Sequence, residues 1–216
     1  MKILVTGGAG FIGSSLIEEL LSRYKNINIT SLDNYFTGNI KNHINDKRVN
    51  YIKGNTWDID ELVKPDIDII FHFGEYSRIV NSFKDIDYVL KSNGYGTMKI
   101  VNFCHKNNVK LIYSASSSKF GNDGKDENLS PYSWTKAKNV ELIKNFGEWY
   151  SLKYEIVYFY NVYGPKQIME GDYKAVIGIF EGQYKKGEPL TVVSPGTQSR
   201  DFTHIDDIIN GIIMTI

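Results

Sequence analysis

Seven residues near the N-terminus, Gly7-Gly8-Ala9-Gly10-Phe11-Ile12-Gly13, constrain this chain more than any other stretch. They follow the apolar run Lys2–Thr6 and lead into Gly13–Tyr24, where Leu16, Leu20 and Leu21 recur at helical spacing. Glycines at 7 and 10, between a strand and a helix, let the backbone turn tightly and approach a pyrophosphate, whose charge the helix N-terminus favours. Gly13 permits close packing of helix on strand. The next strand-like run, Asn28–Leu32, ends at Asp33, 20 residues after Gly13. A carboxylate there accepts hydrogen bonds from adenosine ribose hydroxyls and repels a 2′-phosphate, which favours NAD over NADP. The plain alternative is a loop aspartate that caps a turn.

Further apolar runs lie at Val49–Ile52, Ile67–His72, Lys110–Ser114 and Glu155–Tyr160, with helical segments at Tyr88–Asn107 and Ser133–Leu152. Short runs alternating with helices predict an α/β chain: a Rossmann-type doubly wound parallel sheet with helices on both faces. Ligands then sit beyond the carboxyl ends of the strands. Composition shifts after Pro165, which divides the chain into residues 1–165 and 166–216.

Lys and Arg number 25 and Asp and Glu number 25, so the formal net charge is zero. Nucleic-acid binding, which needs clustered cations, is not expected. Cys104 is the single cysteine, and His43, His72, His105 and His204 are scattered, so neither a disulfide nor a metal site is expected. No signal peptide and no membrane-spanning run is legible, and a cytoplasmic, non-membrane protein is the expectation.

Tyr132 and Lys136 stand four apart at the start of a predicted helix and so share a face. A nearby ammonium favours the phenolate, which makes a tyrosine usable as a base near neutral pH. Alone, the spacing is a common surface pattern. Ser116 gives it meaning, because it follows the Lys110–Ser114 strand and can donate a hydrogen bond to the same substrate oxygen.

Glycine loop, strand-end Asp, then Ser and Tyr-x-x-x-Lys in this order resemble the extended short-chain dehydrogenase/reductase family. More narrowly the chain resembles its nucleotide-sugar epimerase/dehydratase branch. Thr6-Gly7-Gly8-Ala9-Gly10-Phe11-Ile12-Gly13, His72-Phe73-Gly74, Asn93 with Gly96-Thr97, and Ser114-Ala115-Ser116-Ser117-Ser118-Lys119-Phe120-Gly121 fit that branch. So do Phe159-Tyr160-Asn161-Val162-Tyr163-Gly164-Pro165 and Gln198-Ser199-Arg200-Asp201-Phe202-Thr203-His204-Ile205-Asp206-Asp207.

The resemblance implies that Gly7, Gly10, Phe11, Ile12 and Gly13 hold the NAD pyrophosphate and that Asp33 and Asn34 meet the adenosine ribose. It places Asp58 and Ile59 beside adenine, Phe73 and Gly74 along the cofactor, and Asn93, Tyr132 and Lys136 among the cofactor-binding residues. Ser116, Tyr132 and Lys136 are the implied catalytic set. Asn161 and Arg200 would reach the nucleotide diphosphate, where the planar fork of Arg suits phosphate oxygens. Val176 and Thr191 would line the base pocket. For Arg200 the bland alternative is a surface ion pair with Asp201.

The implied activity is a 4-epimerase of UDP-glucose/UDP-galactose type: transient oxidation at C4, turning of the keto sugar, and return of hydride to its other face. Residues 1–165 would then be the NAD-binding domain with the catalytic set, and 166–216 a partial, reduced substrate lobe interleaved with it. Ser117 and Ser118 stand where the branch's 4,6-dehydratases carry Asp-Glu, which argues against a dehydratase. Tyr158 stands where the branch usually has Arg, and Glu75-Tyr76-Ser77-Arg78 is unusual for it. Glu75 or Arg78 would either face the sugar or form a local solvated ion pair. Rival readings are a nucleotide-sugar reductase or other oxidoreductase of the family, and a non-catalytic NAD- or nucleotide-sugar-binding protein. By the same resemblance a homodimer forms through Tyr88–Asn107 and Ser133–Leu152.

Overall fold

In the computed structural model, which describes residues 1–216 apart from the Asn122 side chain, six parallel strands run through the centre. They are β1 (Lys2–Thr6), β2 (Asn28–Asp33), β3 (Val49–Lys53), β4 (Ile69–His72), β5 (Lys110–Ser116) and β6 (Tyr154–Phe159), in the order β3-β2-β1-β4-β5-β6. Successive strand residues point to opposite faces, so each central strand feeds two cores. Leu4, Leu32, Ile70, Leu111 and Tyr113 join one core, and Ile3, Val5, Ile29, Phe71 and Ile112 the other.

Helices close both faces. α1 (Phe11–Arg23) lies on one, with Leu16, Ile17 and Leu20 fully buried. The short α2 (Ile59–Leu62) belongs to the opposite face. There the helix expected over Tyr88–Asn107 is three contiguous pieces: α3 (Ile86–Val89), a π-helical stretch over Leu90–Gly96, and α4 (Thr97–Asn107). Within the π-helical stretch the Asn93 carbonyl accepts Asn139 Nδ2 at 2.9 Å. Such insertions often mark functional positions. Asn108 ends α4 in the left-handed conformation, φ 53°.

α5 runs Pro131–Tyr150, two residues earlier than the apolar spacing indicates. Ser130 caps it by accepting the Ser133 N–H at 3.0 Å, and Pro131, which has no N–H to lose, occupies the first turn. After β6 come β7 (Asn161–Tyr163), α6 (Val176–Lys186), β8 (Phe202–His204) and α7 (Ile205–Ile213). β7 and β8 form a separate parallel pair. α7 buries Ile205, Ile209, Ile212 and Ile213 in the same core as α1, so the chain returns to the sheet after leaving it. Between Gly187 and Phe202, by contrast, every residue is exposed.

Candidate active site

The strand order reverses between β1 and β4, and a cleft of about 1020 Å³ opens beyond their carboxyl ends. Its floor is the glycine loop. Gly7 sits at φ 71°, and a Cβ there would meet the Gly74 nitrogen at 2.9 Å, so β1 and β4 approach at the limit that glycine allows. A Cβ on Gly13 would collide with the Gly7 carbonyl. Gly10 caps α1 with backbone alone, and no described side chain caps that helix, so its N-terminus faces the cleft ready for an anion. These features fit a dinucleotide pyrophosphate.

Asp33 ends β2 and is only 7% exposed. One carboxylate oxygen accepts the Ala9 N–H at 2.9 Å and the other the Tyr35 N–H at 2.8 Å. Burial raises its pKa against those two bonds. It therefore ties the glycine loop to β2 and also lines the cleft, where each oxygen keeps a lone pair for a hydroxyl. Asn34 lines the same wall and donates to Asn55 Oδ1 at 2.9 Å and to the Tyr88 hydroxyl at 2.7 Å. Phe36 stacks on Tyr88 with ring centroids 4.4 Å apart.

Ser116, Tyr132 and Lys136 all line the same cleft. Ser116 is the last residue of β5; its Oγ accepts the Ser118 N–H at 3.2 Å and the Ser118 hydroxyl at 2.9 Å. Its own hydrogen is left for an incoming oxygen. Tyr132 and Lys136 share a face of α5, Tyr132 half-buried and Lys136 buried. Lys136 Nζ donates to the Ser114 carbonyl at 2.6 Å and to Glu75, and lies 4.9 Å from the centre of the Tyr113 ring.

Behind this set is a polar chain that the sequence does not reveal. His72, fully buried, bridges Thr6 Oγ1 at 2.7 Å and Thr97 Oγ1 at 2.9 Å. Thr97 donates to Glu75 Oε1 at 2.8 Å, so it accepts from His72, whose Nδ1 in turn accepts from Thr6. Thr6 Oγ1 also receives the N–H groups of Phe73 and Gly74, fixing the strand end that lines the cleft. Burial pushes the His72 imidazole down to about 4.

Of the residues singled out in the sequence, Gly7, Gly10, Phe11, Ile12, Gly13, Asp33, Asn34, Phe73, Gly74, Ser116, Tyr132, Lys136, Asn161, Val176 and Arg200 all line the cleft. Four do not. Ile59 is fully buried in the core, and Asp58 beside it accepts from Asn55 Nδ2 at 3.1 Å. Asn93 is buried, holding the Tyr76 backbone at both N–H and carbonyl. Thr191 lies on the exposed segment after α6 and bonds Gln183.

Of the two expectations for the Glu75–Arg78 loop, the solvated ion pair does not form, while Arg78 does line the cleft. Glu75 does not pair with Arg78; its carboxylate is in the interior, paired with Lys136. Arg78 donates instead to the Tyr173 carbonyl at 2.6 Å and the Ser77 carbonyl at 2.9 Å, and lines the cleft. Arg200 makes no ion pair with Asp201; its Nη1 donates to the Ser199 carbonyl at 2.7 Å. Asn161 Nδ2 meets the Asp201 carbonyl at 3.0 Å, which brings Asn161 and Arg200 to the same end of the cleft.

Residues 3–216 match the NAD dependent epimerase/dehydratase family. A putative UDP-glucose 4-epimerase of Methanocaldococcus jannaschii is 33% identical over 227 residues, covering 99% of this chain and 73% of that one. Among solved structures, a UDP-N-acetylglucosamine 4-epimerase from Methanobrevibacter ruminantium, in complex with UDP-N-acetylmuramic acid, superposes with TM-score 0.89. It is 30% identical, with 99% of this chain and 72% of that chain covered. A UDP-glucuronic acid 4-epimerase from Bacillus cereus, in complex with UDP-glucuronic acid and NAD, gives TM-score 0.88 at 30% identity, with 99% and 72% covered.

Proposed function

This chain belongs to the NAD-dependent epimerase/dehydratase family, and from that premise we propose that it is a nucleotide-sugar 4-epimerase acting on a UDP-sugar. The observation that carries the proposal is one cleft lined both by an anion-receptive glycine loop with Asp33 and by the Ser116, Tyr132, Lys136 set.

NAD, when bound, supplies the acceptor and returning donor of hydride. Gly7, Gly10, Phe11, Ile12 and Gly13 hold its pyrophosphate, Asp33 and Asn34 its adenosine ribose, and Phe73 and Gly74 its length. Ser116 donates to the C4 oxygen of the sugar and orients it. Tyr132, as phenolate, accepts the C4 hydroxyl proton and later returns it. Lys136 places its ammonium on the same face of α5 as Tyr132. Asn161 and Arg200 take the diphosphate of the nucleotide, Arg200 having only one of its donors engaged by Ser199. Val176, at the start of α6, borders the base.

Ser117 and Ser118 give the site no carboxylate beside Ser116, which supports epimerisation over elimination of water. We read residues 1–165 as the part that holds NAD and the catalytic set, and 166–216 as substrate lobe, with α7 folded back on the sheet. Exposed Tyr95 and Met98 on the π-helix–α4 stretch and Trp149 and Tyr150 on α5 support a homodimer through these helices. Among the described residues no helix is long and apolar enough to cross a membrane; a cytoplasmic location is part of the same proposal.

The reading is tested by following reduced-nicotinamide absorbance during turnover of UDP-glucose. An epimerase holds it flat while product accumulates; net production or consumption of the reduced coenzyme would identify an oxidoreductase instead.

A further inference from the structure

Glu75 follows β4, and its side chain is 1% exposed, that of its partner Lys136 6%. An ionised carboxylate buried this deeply is costly unless it is paired and hydrogen-bonded throughout. Every neighbour of this one is a donor. Oε1 accepts from Thr97 Oγ1 at 2.8 Å, Asn139 Nδ2 at 2.9 Å and the Tyr113 hydroxyl at 3.1 Å; Oε2 accepts from Lys136 Nζ. The donors come from α4, α5 and β5, so three elements converge on one carboxylate. Burial and that carboxylate both push the Tyr113 hydroxyl up, which keeps it a donor.

We propose that Glu75 is a positioning residue for the Tyr132–Lys136 pair: it clamps the Lys136 ammonium against the Ser114 carbonyl and offsets its charge, so Tyr132 works beside a neutralised cation rather than a free one. The proposal rests on the reading of Tyr132 as the base. Two of the three ammonium hydrogens are committed, to Glu75 and to Ser114, and one remains for the cofactor or for Tyr132. Both committed partners are themselves anchored, Ser114 within β5 and Glu75 by its other three bonds. A long lysine side chain is thereby held in one rotamer.

The titratable groups around the clamp are few. His72 on β4 reaches it through Thr97, Tyr113 on β5 touches it, and Tyr132 on α5 lies one turn before Lys136. Arg78 is near Tyr132 on the cleft side and does not alter the sign of the effect, since it stays charged in every variant below. Removing the Glu75 charge leaves the ammonium uncompensated, and an uncompensated cation favours the phenolate.

The test is the pH titration of the Tyr132 ring by ¹³Cζ-tyrosine NMR in the full NAD-loaded chain, with the signal identified by its loss in Tyr132→Phe. In Glu75→Gln, the Tyr132 transition is expected to move to lower pH by roughly one pH unit relative to wild type. The acid limb of kcat/KM should move with it while KM for the UDP-sugar is little changed. Glu75→Asp, which keeps the charge, should restore the wild-type midpoint. Coincident midpoints in wild type and Glu75→Gln overturn the proposal. Should Glu75→Gln not fold, the ¹⁵Nζ lysine spectrum of the wild type decides: an exchange-protected ammonium signal lost in Lys136→Met supports the clamp, and its absence overturns it. Neither NMR readout needs turnover. A wild type that turns over no UDP-sugar therefore defeats the epimerase reading, while the titration still decides the role of Glu75.

Discussion

The two walls of the cleft are built by opposite means. Behind Tyr132, the chain from Thr6 through His72, Thr97 and Glu75 to Lys136 is buried and fully paired, each group with a fixed role as donor or acceptor. Elsewhere along the cleft, Asn161, Val176 and Arg200 are exposed, and Thr191 stands clear of it, on a stretch where every residue meets solvent. On the proposed function, the contrast separates two needs. Proton transfer requires a base and a cation held to a fraction of an ångström, which only a packed, hydrogen-bonded interior provides. Gripping a diphosphate requires donors that can adapt to a flexible ligand, and solvent-exposed loops supply them.

If the buried wall carries the chemistry, Tyr132→Phe should lower kcat by about 10²–10⁴-fold, the range for loss of a general base, with UDP-sugar affinity nearly unchanged by calorimetry. A smaller loss would mean that the wall only binds. Lys136→Met leaves the Glu75 carboxylate buried without its cation and should cost roughly 3–5 kcal/mol of stability in urea unfolding. Most of that returns in the Glu75→Gln/Lys136→Met double variant, because the penalty lies in the orphaned charge. Equal stability of the single and double variants would refute the pairing.

His72 sharpens the same half of the comparison. Its folded-state pKa, about 4, lies below the unfolded value of about 6.5. The unfolded chain therefore binds a proton that the folded chain refuses. The stability conferred by the neutral ring is fully present above pH 6.5 and is lost as pH falls from 6.5 toward 4. The difference amounts to about 3 kcal/mol. His72→Asn should flatten the dependence of unfolding free energy on pH in that window; an unchanged slope would assign the acid sensitivity elsewhere. The smallest effect belongs to the exposed wall. Arg200→Ala should weaken UDP-sugar binding on the order of tenfold and leave the thermal midpoint unmoved. A drop in stability would show that this wall, too, is structural.

The parts legible in the sequence were those whose meaning is local. Glycines at 7, 10 and 13 constrain their own backbone, Asp33 closes the run that precedes it, and Tyr132 and Lys136 share a helical turn. Glu75 and Lys136 are 61 residues apart on different elements, and spacing carries no trace of their meeting. The clue was chemical: a glutamate three residues beyond the end of an apolar strand has to find a partner or remain in water. Ile59 shows the reverse: an apolar residue beside Asp58 serves the core as readily as a ligand, and its side chain packs in the core. The π-helical turn escaped periodicity because Ser92, Asn93 and Gly94 interrupt the apolar repeat without ending the helix. β7 and β8, three residues each, are too short to show any period.

The most direct measurement incubates the purified chain with UDP-glucose, UDP-galactose and their N-acetyl forms, without added cofactor, and follows the sugar protons by NMR. Inversion at C4 in at least one pair, absent in Tyr132→Phe, is the predicted result. Binding of NAD and UDP-sugar with no inversion in any of the four would contradict the account.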